Sequence, residues 1–175
     1  IPAKRNVGVS HARGEILAFI DDDCRPCGNW IPNAAAFLDA NPKIAGVEGL
    51  TIIEKPEMTE ASYRQFKRLE RQGYRTNNIF YRRTAFSEAG QFDERFSVQR
   101  EDLDLAFTII ERGGSIAYND NLQVMHAFRR GERWDLLKNC INRRFDPLLY
   151  RKHPRLYRKH IRSPFPPGIA ALLAL

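Results

Sequence analysis

Short apolar runs alternate with segments of helical periodicity along most of the chain. The run over 16–20 follows Gly14 and is broken beyond its end by Pro26, so it predicts a buried parallel strand within 15–20. Further apolar segments bounded by turn residues predict strands over 45–53, 79–81, 115–118 and 122–126. The last two strands are expected to pair around a turn at 119–121.

Apolar residues spaced three and four apart predict the helices. These helices are expected over 2–12, 30–40, 84–89, 101–112 and 132–150. Residues 60–72 mix charged and aromatic side chains at helical spacing, which predicts a surface helix or a flap. The alternation of strands and helices predicts an α/β layered domain.

The net positive charge of the chain comes from its last 33 residues. Of the 28 basic and 21 acidic residues, positions 1–142 carry 20 of each, whereas positions 143–175 carry eight basic residues and one acidic residue. A neutral body argues against a nucleic-acid-binding domain, since that class is basic throughout its binding face. We therefore predict a domain over 1–142 and a basic tail over 143–175.

The basic tail leads into the apolar stretch 169–175. Basic residues before an apolar segment are typical of the cytoplasmic flank of a membrane helix, so we expect association with the cytoplasmic face of a membrane. The alternative is an ordinary core helix cut by the end of the sequence. Because the chain begins at Ile1 without Met and ends within this apolar stretch, it is expected to be part of a longer protein.

The three cysteines, Cys24, Cys27 and Cys140, are too few for a disulfide framework. Cys24 and Cys27 form one C-x-x-C, but no second C-x-x-C is present to complete a zinc site. The pattern favours reduced thiols in the cytoplasm.

Three consecutive carboxylates, Asp21, Asp22 and Asp23, follow the first apolar strand. They repel one another at a strand end unless a divalent cation neutralises them, and hard oxygen ligands suit Mg²⁺ or Mn²⁺. Strand alternation would place Asp21 and Asp23 on one face and Asp22 on the other. The alternative is a solvated acidic turn.

A second acidic cluster, Glu101, Asp102 and Asp104, opens the helix predicted over 101–112. Carboxylates at a helix start often cap free N–H groups. A carboxylate that faces a metal crevice would instead serve as a general base. Asp21 and Asp102 lie 81 positions apart, so only the fold can bring the clusters together.

His126 ends a predicted strand, and Arg129 and Arg130 follow it. A histidine at this place is either structural or a metal ligand. Two adjacent guanidinium groups suit a diphosphate, because each can donate two parallel hydrogen bonds; a solvated charged loop is the alternative.

Several short motifs follow one another in a fixed order. They are Pro2-Ala3, Arg5-Asn6, Gly8, Ala12-x-Gly14, Phe19 to Asp23, Asn78 to Arg83, Gly90-x-Phe92-Asp93-Glu94, Glu101-Asp102-x-Asp104-Leu105 and His126. Their order, which covers the chain to about residue 130, resembles that of the family 2 glycosyltransferases. The resemblance implies a GT-A fold, a Rossmann-like mixed sheet flanked by helices, that here lacks the N-terminal strands which bind the nucleotide base.

The resemblance also implies roles for individual residues. Asp21 and Asp23 match the outer positions of the DxD motif, which contacts the donor ribose and coordinates Mg²⁺ or Mn²⁺, and His126 matches a third metal ligand. Arg5 and Asn6 match positions beside the donor diphosphate, a UDP-, GDP- or dTDP-sugar.

Asp102 matches the general base of inverting members, which activates a hydroxyl of a glycan, a lipid or another acceptor. The Gln-x-x-Arg-Trp motif of processive members is reduced to Arg133-Trp134, which favours a single transfer. Two alternatives remain. A phosphatase of haloacid dehalogenase type also carries Asp-x-Asp, although Arg25 stands where it usually has Thr or Val. A basic module that binds nucleic acid or a membrane surface would depend on the tail.

Overall fold

A computed structural model describes residues 1–54, 67–127, 141 and 143–161. The helices are α1 (Pro2–His11), α2 (Trp30–Ala40), α3 (Arg83–Glu88), α4 (Glu101–Glu111), α5 (Asp146–Lys152) and α6 (Pro154–His160). The strands are β1 (Ile16–Ile20), β2 (Cys24–Pro26), β3 (Gly46–Ile53), β4 (Asn78–Arg82) and β5 (Ile116–His126). Short 3₁₀ turns occur at Lys67–Glu70 and Arg143–Phe145. The predicted flap over 60–72 lies largely outside the described residues.

The five strands form one mixed sheet in the order β1-β4-β3-β5-β2. The neighbours β3 and β5 are parallel, and the other three pairs are antiparallel. The prediction that β1 is a buried parallel strand is wrong: among the described strands it lies at the sheet edge and pairs antiparallel with β4. Its apolar run is covered on one face, where Leu17 is buried, while Ala18 and Ile20 are exposed.

Side chains from β4 divide the core between the two faces of the sheet, because successive residues of a strand point to opposite sides. Ile79 and Tyr81 join a large cluster with side chains from α1, α3, α4, α5 and α6. Phe80 joins a smaller cluster under α2, where its ring lies 4.4 Å from that of Trp30. The predicted α/β fold, a mixed sheet flanked by helices, is confirmed.

β5 is one continuous strand, so the predicted hairpin around 119–121 is wrong. The register against β3 shifts at this point, since Gly49 pairs with Asn119 while Leu50 pairs with Gln123. The extra residues of β5 are accommodated as a bulge instead of a turn. A Cβ on Gly49 would overlap the carbonyl oxygen of Leu122, so the bulge requires glycine there.

The helix predicted over 132–150 is not continuous where the structure describes it. A 3₁₀ turn precedes α5, which ends at Lys152, and α6 starts at Pro154. Pro147 and Pro154 both stand in a first turn, the helical position that tolerates a missing N–H. Residues 128–140 lie outside the description.

Ion pairs that centre on the buried Asp104 and His153 hold α5 and α6 against α4. Lys152 Nζ lies 2.6 Å from Asp104 Oδ1 and 2.8 Å from Asp93 Oδ2. His153 pairs through Nε2 with Asp104 at 3.1 Å and through Nδ1 with Glu111 at 2.7 Å. Burial lowers the pKa of His153, but the hydrogen bonds of Asp104 and Glu111 outweigh it, and the net pKa is raised.

The described part of the predicted tail therefore packs into the protein. Phe145, Leu149 and Tyr157 belong to the same buried cluster as the α4 side chains. Within the described residues, none of the helices has the length and apolar character that a membrane span requires. The domain boundary at residue 142 stays a prediction.

Candidate active site

Arg5 brings the two acidic clusters together. Its Nη1 donates to Glu101 Oε1 at 2.6 Å, and its Nη2 donates to Asp21 Oδ1 at 3.2 Å. The family resemblance implied one site for both clusters, and α1 supplies a cation that pairs with a carboxylate from each. The pairing of Arg5 with Glu101 was not predicted.

The acidic triplet forms a turn between β1 and β2. Asp21 and Asp23 are partly buried, whereas Asp22 is exposed. This separation matches the expectation, but it arises from the turn and not from strand alternation. Burial raises the pKa of Asp21 most strongly; Arg5 opposes this effect, and the charge of Asp23 adds to it.

Asp23, Cys24 and His126 form a group of metal-binding type, with ligand atoms within 4.8 Å of one another. Antiparallel pairing sets Cys24 directly opposite His126, and His126 Nε2 lies 3.6 Å from Asp23 Oδ1. His126 Nδ1 lies 2.9 Å from the carbonyl oxygen of Ala127. Because a carbonyl oxygen only accepts, that contact places a proton on Nδ1, so Nε2, which faces Asp23, is the nitrogen that would bind a cation.

These donors fit a divalent cation, because a carboxylate oxygen and an imidazole nitrogen lie close enough together to share one. The third member, Cys24, was not predicted as a ligand, although its place beside the triplet was visible in the sequence. Burial, and secondarily Asp21 and Asp23, raise the pKa of the Cys24 thiol to about 12. Cys24 and Cys27 are free thiols, as expected, and Cys140 lies outside the described residues.

Asp102 stands in the first turn of α4. Its Oδ1 accepts a hydrogen bond from the Leu103 N–H at 2.7 Å, while the residue that precedes the helix, Arg100, provides no side-chain cap. Burial raises the pKa of Asp102 to about 7, the charge of Glu101 adds to the rise, and the Leu103 hydrogen bond opposes it. A carboxyl group that titrates near neutrality suits a general base.

A cavity of about 590 Å³ opens in front of Asp102. Its lining residues are Gln72, Gly73, Tyr74, Arg75, Gln99, Arg100, Asp102, Leu103, Arg143, His160 and Ile161. A space of this size can hold a small organic molecule beside the carboxyl group.

Glu48 fixes one wall of this cavity and was not singled out from the sequence. Its buried carboxylate, in the middle of β3, accepts hydrogen bonds from the backbone N–H groups of Gly73, Tyr74 and Arg75 at 2.8 to 3.1 Å. Burial raises the pKa of Glu48, and these hydrogen bonds oppose the rise. The available signal was a lone acidic residue inside an apolar strand.

Asn6 lies beside Arg5 on α1, but its amide is engaged elsewhere. Its Nδ2 donates to Phe92 O at 2.9 Å, and its Oδ1 accepts from Phe92 N at 3.1 Å. These bonds fasten the loop after α3, so the donor contact expected of Asn6 stays a prediction. Arg129 and Arg130 lie outside the described residues.

The amino-acid sequence of this chain is similar to those of known glycosyltransferases. The family model described as "Glycosyl transferase family 2" matches residues 2–96. The "Probable N-acetylgalactosaminyltransferase 7" of Caenorhabditis elegans is 24% identical, in an alignment that covers 71% of this chain and 26% of the relative. The chain thus spans about a quarter of that protein's length.

Two solved structures share the fold. GalNAc-T7, crystallised with UDP, GalNAc and Mn²⁺, superposes with a TM-score of 0.56 at 17% identity, over 74% of this chain and 30% of that one. TarS of S. aureus, in complex with UDP-GlcNAc, superposes with a TM-score of 0.57 at 15% identity, over 77% and 41%. The likeness confirms the predicted GT-A fold.

Proposed function

Because this chain belongs to glycosyl transferase family 2, we propose that its site transfers a sugar from a nucleotide-diphosphate sugar to an acceptor hydroxyl. The transfer is proposed to invert the anomeric centre and to occur once per acceptor. The same family membership disfavours the phosphatase alternative. No observation in the described residues favours the basic-module alternative.

One observation carries the proposal: Arg5 holds Asp21 and Glu101 in a single ion-pair network. Asp21 stands two residues before Asp23, a member of the metal-binding group, and Glu101 directly precedes Asp102. The site therefore combines carboxylates for a donor and its cation with a carboxyl group suited to proton transfer. Neither half alone would distinguish a transferase from a metal-binding turn.

On the donor side, Asp23 and His126 would hold Mn²⁺ or Mg²⁺, with Asp21 next to them. When bound, such a cation offsets the negative charge that develops on a departing nucleoside diphosphate. GalNAc-T7 was crystallised with UDP and Mn²⁺ and TarS with UDP-GlcNAc, which favours a UDP-sugar over GDP- or dTDP-sugars. Arg5, Arg129 and Arg130 are proposed to pair with the donor phosphates.

On the acceptor side, Asp102 is proposed to remove the proton of the attacking hydroxyl. Asp102 follows Glu101 at the head of α4, and Arg5 lies between Glu101 and Asp21. This arrangement supports a base that acts from the side away from the leaving group. Attack from the side opposite the leaving group inverts the anomeric centre. The cavity in front of Asp102 is the proposed acceptor site, open to a hydroxyl of a glycan, a lipid or another molecule.

The proposed cellular location rests on the charge of the C-terminal segment. The basic segment 143–175 favours the cytoplasmic face of a membrane, where anionic lipids attract lysine and arginine. Fractionation of cells that express the full-length protein, with and without a high-salt wash, tests this proposal. Recovery in the soluble fraction without a salt wash would contradict it.

The test of the function is donor turnover by the full-length protein with Mn²⁺, screened over UDP-, GDP- and dTDP-sugars. We expect metal-dependent turnover that falls about a thousandfold in Asp102→Asn, since that is a common loss for a general base. Asp22→Asn, which alters the exposed member of the triplet, is the matched control and should retain activity. Release of phosphate from simple esters without sugar transfer would favour the phosphatase instead.

A further inference from the structure

The cavity in front of Asp102 is lined mainly by cationic and neutral side chains. Arg75, Arg100 and Arg143 contribute guanidinium groups, and Asp102 is the one acidic residue among the lining residues. A sugar hydroxyl by itself needs hydrogen-bonding groups and not an excess of positive charge. The positive charge of this wall therefore favours some acceptors over others.

Two of the three arginines remain able to bind an anion. Arg100 is neutralised by Asp146, which is buried and lies 2.6 Å from its Nε. Arg75 Nη1 donates to the carbonyl oxygen of Arg71 at 2.9 Å, and it lies 3.9 Å from Glu48, whose oxygens already accept three backbone N–H groups. Its positive charge is therefore only weakly compensated. Among the described residues, Arg143 forms no ion pair, and its side chain is exposed.

The backbone of this wall is held in an unusual conformation. Tyr74 has φ 58° and Arg100 has φ 82°, and both line the cavity. A non-glycine residue with positive φ costs about 1 kcal/mol or more, so such residues persist where the surrounding structure fixes them. A Cβ on Gly73 would overlap the guanidinium of Arg75, so the absence of a side chain there lets that group lie against the backbone.

We propose that the acceptor is an anion, in which a phosphate or carboxylate group lies beside the hydroxyl that Asp102 deprotonates and is bound by Arg75 and Arg143. This inference rests on the proposed function. Guanidinium groups bind such oxyanions through paired charge-assisted hydrogen bonds, and the two residues stand on separate segments of the cavity wall. A neutral glycan would leave Arg143 without an anionic partner among the described residues, and Arg75 with only the distant carboxylate of Glu48.

The test uses the full-length protein without metal or nucleotide. Glycerol 3-phosphate, glycerate and glycerol are titrated by calorimetry into the unaltered protein and into Arg143→Gln and Arg144→Gln. Arg144 is the matched control, since it is the next residue, is exposed, lies 4.9 Å over the ring of Phe145 and does not line the cavity.

We expect glycerol 3-phosphate or glycerate to bind and glycerol to show no measurable binding. The dissociation constant should rise about tenfold in Arg143→Gln and change by less than about twofold in Arg144→Gln. Tighter binding of the phosphate probe identifies a phosphorylated acceptor, and tighter binding of glycerate identifies a carboxylate. Raising the salt concentration should weaken either interaction.

The proposal is wrong if glycerol binds as tightly as the anions, if neither anion binds, or if both arginine variants weaken binding equally. A failure of the proposed function would be seen elsewhere, as an absence of metal-dependent donor consumption with any acceptor. The titration contains no donor and no metal, so its result stands apart from that assay. Equal melting temperatures of the two variants exclude misfolding as the cause of a difference.

Discussion

Arg5 Nη1 lies 2.6 Å from Glu101 Oε1 and thereby joins the first helix to the start of α4, 96 positions later in the chain. Glu101 is buried, and among the described residues its second oxygen, Oε2, has no hydrogen-bond partner. Among the described residues, Arg5 is the cation that pairs with Glu101. Breaking a buried ion pair by removing one partner costs more than the pair contributes, because the other charge is left uncompensated.

Arg5→Gln is expected to lower the free energy of unfolding by about 3 kcal/mol, since Glu101 would remain buried without a cation. Urea denaturation measures the loss. Arg13→Gln, which removes an exposed arginine from the following loop, is the control and should change stability by less than about 0.5 kcal/mol. The double variant Arg5→Gln/Glu101→Gln should recover most of the loss. A double variant as unstable as Arg5→Gln alone would contradict the pairing.

The sequence predicted much of the fold because its apolar periods are strong. α1, α2, α4, β3 and β4 lie within one or two residues of their predicted bounds. The predicted hairpin was wrong because the three polar residues at 119–121, which are typical of a turn, lie within the continuous strand β5. A bulge opposite Gly49 absorbs them, and that tertiary contact has no local signal.

The candidate site was only partly accessible to sequence reasoning. The acidic triplet, Asp102 and His126 were singled out, since each stands at the end or start of a predicted element. The roles of Cys24 and Glu48 were missed, because a buried thiol and a lone strand acid look structural in sequence. Their partners come from distant segments, so only the folded chain shows what they contact.

The raised pKa of Asp102 predicts opposite effects of pH on activity and on stability. Activity should increase as pH rises through about 7, because the base must be ionised. Stability should decrease over the same range. The folded-state pKa exceeds the ordinary value of 3.8, so the contribution of Asp102 is complete below about pH 4 and is lost as pH rises through 7.

Asp102→Asn should therefore be less active but more stable than the unaltered protein, by about 2 kcal/mol at pH 8. Urea denaturation at pH 5 and pH 8 measures this gain, which should be larger at pH 8. Equal stability of the two proteins at both pH values would show that the carboxyl group is not held in an unfavourable environment.

His153 predicts a second dependence of stability on pH. Its hydrogen bonds to Asp104 and Glu111 raise its pKa above 6.5 despite burial, so its stabilising contribution is complete below pH 6.5 and is lost as pH rises through the folded-state pKa. Lys152, which also contacts Asp104, opposes the charge of His153. In His153→Gln, the decline in melting temperature above pH 6.5 should be smaller than in the unaltered protein.

His160, the last residue of α6, is the matched control. Its pKa is lowered, first by burial and then by Lys159, so its effect on stability has the opposite sign: protonation at low pH is destabilising. His160→Gln should therefore reduce the loss of melting temperature on acidification. If both variants change the dependence of melting temperature on pH in the same direction, the opposite pKa shifts of His153 and His160 are wrong.

Gly49→Ala is expected to destabilise the protein by about 3 kcal/mol, because the added methyl group would overlap the carbonyl oxygen of Leu122 and the Asn78 side chain at the bulge. Gly8→Ala is the control. Gly8 is exposed in α1, and a Cβ there would meet nothing within 4 Å. That substitution should stabilise the protein by about 0.5 kcal/mol, since alanine is the better helix former. Thermal unfolding measures both effects. A loss of stability below about 1 kcal/mol in Gly49→Ala would mean that the bulge can accommodate a side chain at this position.

His126 Nε2 and Asp23 Oδ1 are separated by 3.6 Å, a spacing that suits two ligands of one cation better than a hydrogen bond. His126→Gln and Asp23→Asn are therefore each expected to weaken Mn²⁺ binding by about tenfold or more, whereas Asp22→Asn should weaken it by less than about twofold. Paramagnetic resonance of free Mn²⁺ measures binding without donor or acceptor. Equal weakening by all three substitutions would indicate a diffuse acidic patch, since a defined site distinguishes the inward carboxylate from its exposed neighbour.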